Sequence, residues 1–342
     1  MIELELTDEH AALVETVRDW GRKEVAPRIH DLDREHRFER GFLKRMAELQ
    51  LLGICIPEQW GGAGMDYVSL GLACEELEYV DTHLRVILSV HVGLNSMTLW
   101  CWGTPEQKRR YLVPQASGER IASYALTEPN AGSDAVGIQT TALRKGDRYL
   151  LNGEKMWISL ADVADHFLVI AWTDQQKKQR RDHSGMSAFI VERGFKGFRS
   201  FPIKEKWGIL AGNTGGFALE DVEVPVENRL GEEGEGFKVA MFALENGRFT
   251  VAAGATGLIR ACLDASVAYA RTRKTFGVPI GQHQLVKEMI AQMVSDYEAA
   301  RLLWLRAGWL KNRGRRNTRE TSLAKWFATV ASERSAADAV QI

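Results

Sequence analysis

The sequence predicts an α+β multidomain protein, helical at both ends with a β-rich middle. Three observations carry that prediction. Apolar residues recur at helical spacing through about residue 118, short β-rich runs separated by turns occupy residues 121–224, and helical spacing returns from Gly236 onward. At 342 residues the chain exceeds the size at which a single core stops growing, so several packed units are expected. The expected boundaries are 1–118 for an N-terminal helical domain, 119–231 for a middle β domain and 232–342 for a C-terminal helical bundle.

Taken in order, Thr7 followed by Asp8 and Glu9 reads as a helix start, and Leu13, Val17 and Trp20 continue it until Pro27 ends the pattern. Phe42, Met46 and Leu49 mark a second helix that Gly53 can close, and residues 67–80 and 84–102 read as two more. The β runs lie at 121–126, 149–151, 155–158, 167–171, 188–191 and 217–224. Asn152-Gly153 suits the type I′ turn of a tight hairpin, where residues must tolerate positive φ. Residues 175–182 are polar and mostly basic and read as a solvated loop. Helical segments follow at about 237–273, 283–311 and 318–342, separated first by Gly277 and Pro279 and then by Arg313-Gly314-Arg315-Arg316, an inter-helix loop.

Several function classes are disfavoured. A net charge of -1 gives no broad basic surface for nucleic acid. Cys55, Cys74, Cys101 and Cys262 form no CxxC pair, which argues against a zinc site and a disulfide framework; no metal is expected, and a reducing compartment is. The N-terminus is acidic and no apolar stretch reads as long enough to span a bilayer, so a cytoplasmic protein without membrane contact is expected. Neither GxxxxGK[ST] nor a Rossmann GxGxxG occurs, nor HExxH or GxSxG. His83 and His91, eight apart on one helical face, read as packed or surface residues. Gly61-Gly62-Ala63-Gly64 is either a sharp turn or a cradle of amides for an anion.

Three segments stand out as chemistry. Tyr124-Ala125-Leu126-Thr127-Glu128-Pro129-Asn130-Ala131-Gly132-Ser133-Asp134 joins a β run to a turn rich in short hydrogen-bonding side chains. In Lys155-Met156-Trp157-Ile158-Ser159 strand alternation puts an indole and a hydroxyl on one face, which suits a planar ligand, although Trp157 alone also reads as a core aromatic. Arg271-Thr272-Arg273-Lys274-Thr275-Phe276-Gly277 ends a helix in cations, either as dipole caps or as an anion site, and His283-Gln284 open the next helix.

In this order and spacing the segments resemble the acyl-CoA dehydrogenase family over essentially the whole chain. The resemblance implies an N-terminal helical domain, a middle β-barrel-like domain and a C-terminal four-helix bundle, here with its last part missing, in a homotetramer. It implies FAD as cofactor, lined by Tyr124, Leu126, Thr127, Gly132 and Ser133, with Thr127 toward the pyrimidine side of the ring. Trp157, Ile158 and Ser159 would lie against the flavin, and Arg273, Thr275, Phe276, His283, Gln284 and Gln341 would complete the cofactor site. Ser133, Glu245 and Arg248 would meet the acyl-CoA substrate. The implied reaction takes a proton from Cα and a hydride from Cβ, giving a 2-enoyl-CoA, with electrons leaving to an electron-transfer flavoprotein, in fatty acid or amino acid degradation.

The chain also departs from the family pattern. The usual glutamate base is expected beyond Ile342, in a longer polypeptide of which these residues are part. The alternative base position on the long helix is Gly247, and Glu245 is rotated from it by ~200° at ~100° per residue. Leu210 and Gly212 stand where relatives carry arginine and serine. Glu78 and Arg85, seven apart, resemble the glutaryl-CoA dehydrogenase branch, in which the arginine meets a distal carboxylate; a surface ion pair on a helix reads equally well, and Val86 replaces a serine of that branch. The rival readings are a flavin monooxygenase-like relative and a non-catalytic flavin or acyl-CoA binding protein.

Overall fold

The computed structural model describes residues 5–342. They form two compact units. One comprises the described residues up to Ile29 with Asp66–Arg85 and Arg248–Ile342; the other comprises His30–Met65 and Val86–Gly247.

The first unit is helical. Thr7 caps the helix Asp8–Trp20 through a capping box with His10. The helix does not stop at Pro27, as the sequence suggested, because a π-helical turn, Gly21–Val25, carries the chain into a further helix, Ala26–Arg34, whose first turn tolerates a proline lacking its N–H. Helix Tyr67–Val80 starts at Asp66, whose side chain accepts from the Ser69 amide. The helices Gln284–Asn312 and Thr318–Gln341 pack through small residues. Their core with the long helix is Ala255, Ile259, Ala300, Ala328 and Ala331, and alanines at such positions let helix backbones approach closely. Arg18 and Arg260 clamp the buried Glu76, while Arg260, Arg301 and Tyr297 surround the buried Glu75, so both buried carboxylates face cations.

The second unit is built on one sheet. Its strands are β1 (Ala122–Ala125), β2 (Thr141–Lys145), β3 (Arg148–Ser159), β4 (His166–Trp172), β5 (Met186–Glu192), β6 (Phe198–Pro202), β7 (Thr214–Pro225) and β8 (Arg229–Leu230). The order is β6-β7-β3-β2-β4-β5-β8, with β1 added in parallel to β4. β6 and β8 do not pair, so among the described residues the middle domain expected to be barrel-like is an open sheet.

Two sequence expectations are corrected in this sheet. Asn152-Gly153 is no hairpin turn but an irregularity inside β3, where the register opposite β7 shifts between Leu151 and Gly153. Gly153 sits at φ +151 with Thr140 packed where a Cβ would be, so glycine is required by a bulge and not by a turn. The tight turn is Gly146-Asp147, between Lys145 and Arg148. Residues 175–182, expected as loop, include a short helix, Gln175–Gln179, capped by Asp174.

Gln50, at φ +57, takes the left-handed position after helix Gly41–Glu48 that the sequence assigned to Gly53. The Gly61 to Gly64 loop resolves as a turn: its four amides all donate to backbone oxygens of residues 53–58, leaving none for an anion. Thr82–Trp102 and Gly236–Thr272 are long and apolar enough to cross a membrane, which corrects the expectation that no stretch is; 72% and 44% of their most apolar windows are buried inside the protein.

Candidate active site

In the second unit β1 leads straight into the loop of residues 126–137. Lys155, fully buried at a core-facing position of β3, donates to the Leu126 carbonyl at 2.9 Å and to the Glu128 carboxylate at 2.9 Å. Glu128 also accepts from the Thr140 amide at 3.0 Å and the Thr140 hydroxyl at 2.5 Å. Burial pushes the Lys155 ammonium down to about 8. Burial alone would raise the Glu128 carboxyl, but Lys155 and the Thr140 hydrogen bond outweigh it and hold Glu128 below the usual carboxylate range. The Met156 amide donates to the Thr127 carbonyl at 3.0 Å. Leu126 and Thr127 are therefore held by the very strand that carries Trp157.

Trp157 occupies a second register shift of β3, between Lys155 and Ile158, at φ +61 and 61% exposed. A left-handed backbone at a bulky residue is strained, and an indole in solvent forgoes burial, so neither the core-aromatic reading nor stability accounts for it. Ile158 is buried and Ser159 partly exposed, but Lys155, three residues before Ile158, is buried too, so the bulge interrupts the strict alternation the sequence suggested. The Ser159 carbonyl accepts from the Ser123 hydroxyl at 2.6 Å. Tyr124 and Leu126 are buried, while Gly132 and Ser133 are exposed, and a Cβ added at Gly132 would meet nothing within 4 Å. Asp134 is ion-paired to Arg181 in the turn after the short helix Gln175–Gln179, which fixes the end of the loop.

Beneath β1 lies a buried polar network that the sequence did not reveal. His91 Nδ1 accepts the Ala122 amide at 3.0 Å and its Nε2–H donates to the Gln115 carbonyl at 3.1 Å. Gln115 donates to His166 Nε2 at 2.5 Å and to Asn95 at 3.0 Å, and Asn95 donates to the Ser123 carbonyl at 2.6 Å. Burial lowers His91 to about 4 and His166 to about 3, so both are neutral at pH 7. A lysine at a core-facing strand position was the one readable signal for buried polar partners in this unit.

The long helix Gly236–Thr272 carries Glu245 and Arg248, both partly buried, and Glu245 has a buried carboxylate oxygen without a hydrogen-bond partner. At Gly247 a Cβ would lie 2.7 Å from Leu94, so even a small side chain there requires Leu94 to move.

In the first unit, Lys274–Thr275 and Val278–Pro279 pair as a minimal hairpin whose turn is Phe276-Gly277, at φ +51 and +82. The turn leaves Phe276 97% exposed. Thr275 Oγ1 meets His283 Nε2 at 2.8 Å, Gln284 begins the next helix, and Gln341 is exposed near the end of the last. Arg273 is exposed and its guanidinium makes no hydrogen bond among the described residues, so it is not capping the helix carbonyls. Glu78 and Arg85 pair, but not along one helix: Asp81 is extended, and the pair spans the break between Tyr67–Val80 and Thr82–Leu88. Nor is it a surface pair, since the side chains are 4% and 12% exposed.

An exposed, strained indole beside a loop whose backbone is held rigid fits a flat ring, and a free arginine beside an exposed phenylalanine fits a phosphate-bearing aromatic ligand; both suit the FAD that the resemblance implies. Among the described residues no group of three or more His, Cys, Asp or Glu could hold a metal ion.

Comparison with known proteins agrees with this chemistry. Family models for the acyl-CoA dehydrogenase N-terminal, middle and C-terminal domains match residues 7–119, 123–222 and 234–342. A short-chain specific acyl-CoA dehydrogenase of Clostridium acetobutylicum is 39% identical over 341 residues, covering 100% of this chain and 89% of that protein. A solved structure described as an electron transferring flavoprotein of Acidaminococcus fermentans aligns with a TM-score of 0.96 at 40% identity, covering 99% of this chain and 88% of its own. A glutaryl-coenzyme A dehydrogenase solved with glutaryl-CoA aligns with a TM-score of 0.94 at 36% identity, covering 99% and 86%. The chain belongs to the acyl-CoA dehydrogenase family, and it is an oxidoreductase by that membership.

Proposed function

We propose that the protein is an FAD-dependent dehydrogenase of short-chain acyl-CoA thioesters, forming 2-enoyl-CoA and passing electrons to an electron-transfer flavoprotein. The observation that carries the reading is Trp157, held exposed and strained at the bulge of β3 next to the anchored Leu126 and Thr127. Bound FAD would supply the two-electron acceptor. Within this reading Leu126, Thr127, Trp157, Ile158 and Ser159 line the ring, with Tyr124, Gly132 and Ser133 beside them. Arg273, Thr275, Phe276, His283, Gln284 and Gln341 hold the rest of the cofactor, and Ser133, Glu245 and Arg248 orient the thioester. Abstraction of the Cα proton needs a carboxylate base. None of the residues described is assigned that role.

The Clostridium relative's name supports a short acyl chain. Arg85 already faces a carboxylate, Glu78, which favours an uncharged acyl group over a dicarboxyl one. A cytoplasmic homotetramer active in fatty acid or amino acid degradation completes the proposal. Its support is the exposed Leu285, Leu302, Trp326 and Val330 on the C-terminal helices, apolar surface suited to a subunit interface, and cysteines that form no disulfide.

The test is anaerobic addition of butyryl-CoA and, separately, glutaryl-CoA to the FAD-loaded protein. Bleaching of the flavin by butyryl-CoA with formation of crotonyl-CoA is expected of a polypeptide that also carries the carboxylate base. Failure to bind FAD overturns the reading. Binding without bleaching favours a non-catalytic binding protein, product that requires oxygen favours a monooxygenase-like relative, and preferential bleaching by glutaryl-CoA reassigns Arg85 and Glu78 to the substrate.

A further inference from the structure

Lys155 touches the candidate site only through the backbone, and the way it does so has an electronic consequence. Its ammonium donates to the carbonyl oxygen of Leu126, and that oxygen belongs to the same peptide group as the Thr127 N–H. Among the described residues the Thr127 amide donates to no acceptor, whereas the Thr127 carbonyl is taken by Met156. A cation on the carbonyl end of a peptide withdraws electron density from the amide end, so the N–H becomes a stronger donor, and in a dry site this polarisation is little screened. Glu128 lies on the other side of the same ammonium, at 2.9 Å, and moderates it. Both charged side chains are buried, at 0% and 6% exposure, so the arrangement carries a desolvation cost that a hydrophobic pair of equal volume would avoid.

We propose that Lys155 and Glu128 are a positioning pair that sets the donor strength of the Thr127 amide toward the pyrimidine edge of the flavin, and with it the preference of the protein for the reduced over the oxidised cofactor. This rests on the reading that Leu126 and Thr127 line that edge. Reduction places negative charge on the pyrimidine, so a stronger donor and a nearby cation favour the reduced form, while the Glu128 carboxylate limits the effect. Lys155 contacts no reacting atom; it acts through the Leu126–Thr127 peptide.

The experiment measures the flavin midpoint potential of the FAD-loaded protein by dye-coupled anaerobic titration, together with FAD affinity and the thermal midpoint, for the wild type, Lys155→Met, Glu128→Gln and the double variant. Both single variants leave a buried group unpaired and should lower the thermal midpoint. Their effects on the potential should be opposite. Lys155→Met should weaken reduced relative to oxidised FAD by about tenfold, which for a two-electron couple is a fall of about 30 mV, whereas Glu128→Gln should raise the potential. The double variant, with no buried charge left, secures a folded sample if a single variant fails, and its potential should lie below that of the wild type. A purely structural pair would lower stability and leave the potential of the loaded fraction in place. Potentials that are unchanged, or that move the same way in both single variants, overturn the proposal, as does a double variant at or above the wild-type potential. Failure of the wild type to bind FAD overturns instead the placement of Leu126 and Thr127 at the flavin.

Discussion

Glu78 and Arg85 form a buried ion pair across a break between two helices, and Gly254 of the long helix lies directly against it. An alanine Cβ at 254 would come within 2.7 Å of Glu78 Oε2 and 2.9 Å of Arg85 Nε. The pair is thus packed on one side by a residue that must have no side chain, which is why the surface ion pair that the sequence allows is not what forms.

Gly254→Ala follows from that contact. In an exposed helix interior such a change stabilises by about 1 kcal/mol. At this position the displaced ion pair should outweigh that gain and destabilise the protein by about 1–3 kcal/mol, read as a lower urea midpoint. An unchanged or higher midpoint would mean that the pair moves aside without loss.

Trp157→Gly should separate stability from cofactor binding. Glycine removes a left-handed strain of about 1–2 kcal/mol and gives back about 0.5–1 kcal/mol in backbone entropy, so the apoprotein should be no less stable than the wild type. FAD affinity, followed by flavin fluorescence quenching, should weaken at least tenfold, on the order of 1.4 kcal/mol. A marked fall in apoprotein stability would show that the indole is a packing residue after all.

Acid should weaken the protein through His91 and His166. Their native values of about 4 and about 3 lie below the ordinary 6.5, so the native state binds fewer protons than the unfolded chain. Their contribution is fully present above pH 6.5 and is lost as pH falls from 6.5 toward 4 and then 3. Between pH 7 and pH 5 each should cost about 2 kcal/mol. His91→Gln should flatten that slope in chemical unfolding measured at several pH values. If the slope is the same in the variant, other groups govern the acid sensitivity.

Local signals in the chain were legible where one element decides its own conformation. The Thr7 start of the first helix, the span of helix Tyr67–Val80 and the three long C-terminal segments follow from periodicity and caps, which need only neighbours a few residues away. The order of the three chemistry-bearing segments was enough to identify the family.

The misreadings arose where a distant partner decides. Pro27 reads locally as a stop because a proline removes one hydrogen bond, but a π-helical turn re-routes the bonding ahead of it. Asn152-Gly153 reads locally as a turn because the pair tolerates positive φ, yet β7 opposite and Thr140 alongside make it a bulge.

By itself the sequence determined the helical ends, the β-rich middle and the flavin-type motifs, because periodicity, capping and motif spacing are properties of contiguous residues. Only the tertiary structure decided that Lys155 meets Glu128 and Leu126, that His91 and His166 sit neutral beneath β1, and that Arg85 is already paired. Those contacts join residues 7 to 51 positions apart, and sheet register or a helix break sets each of them.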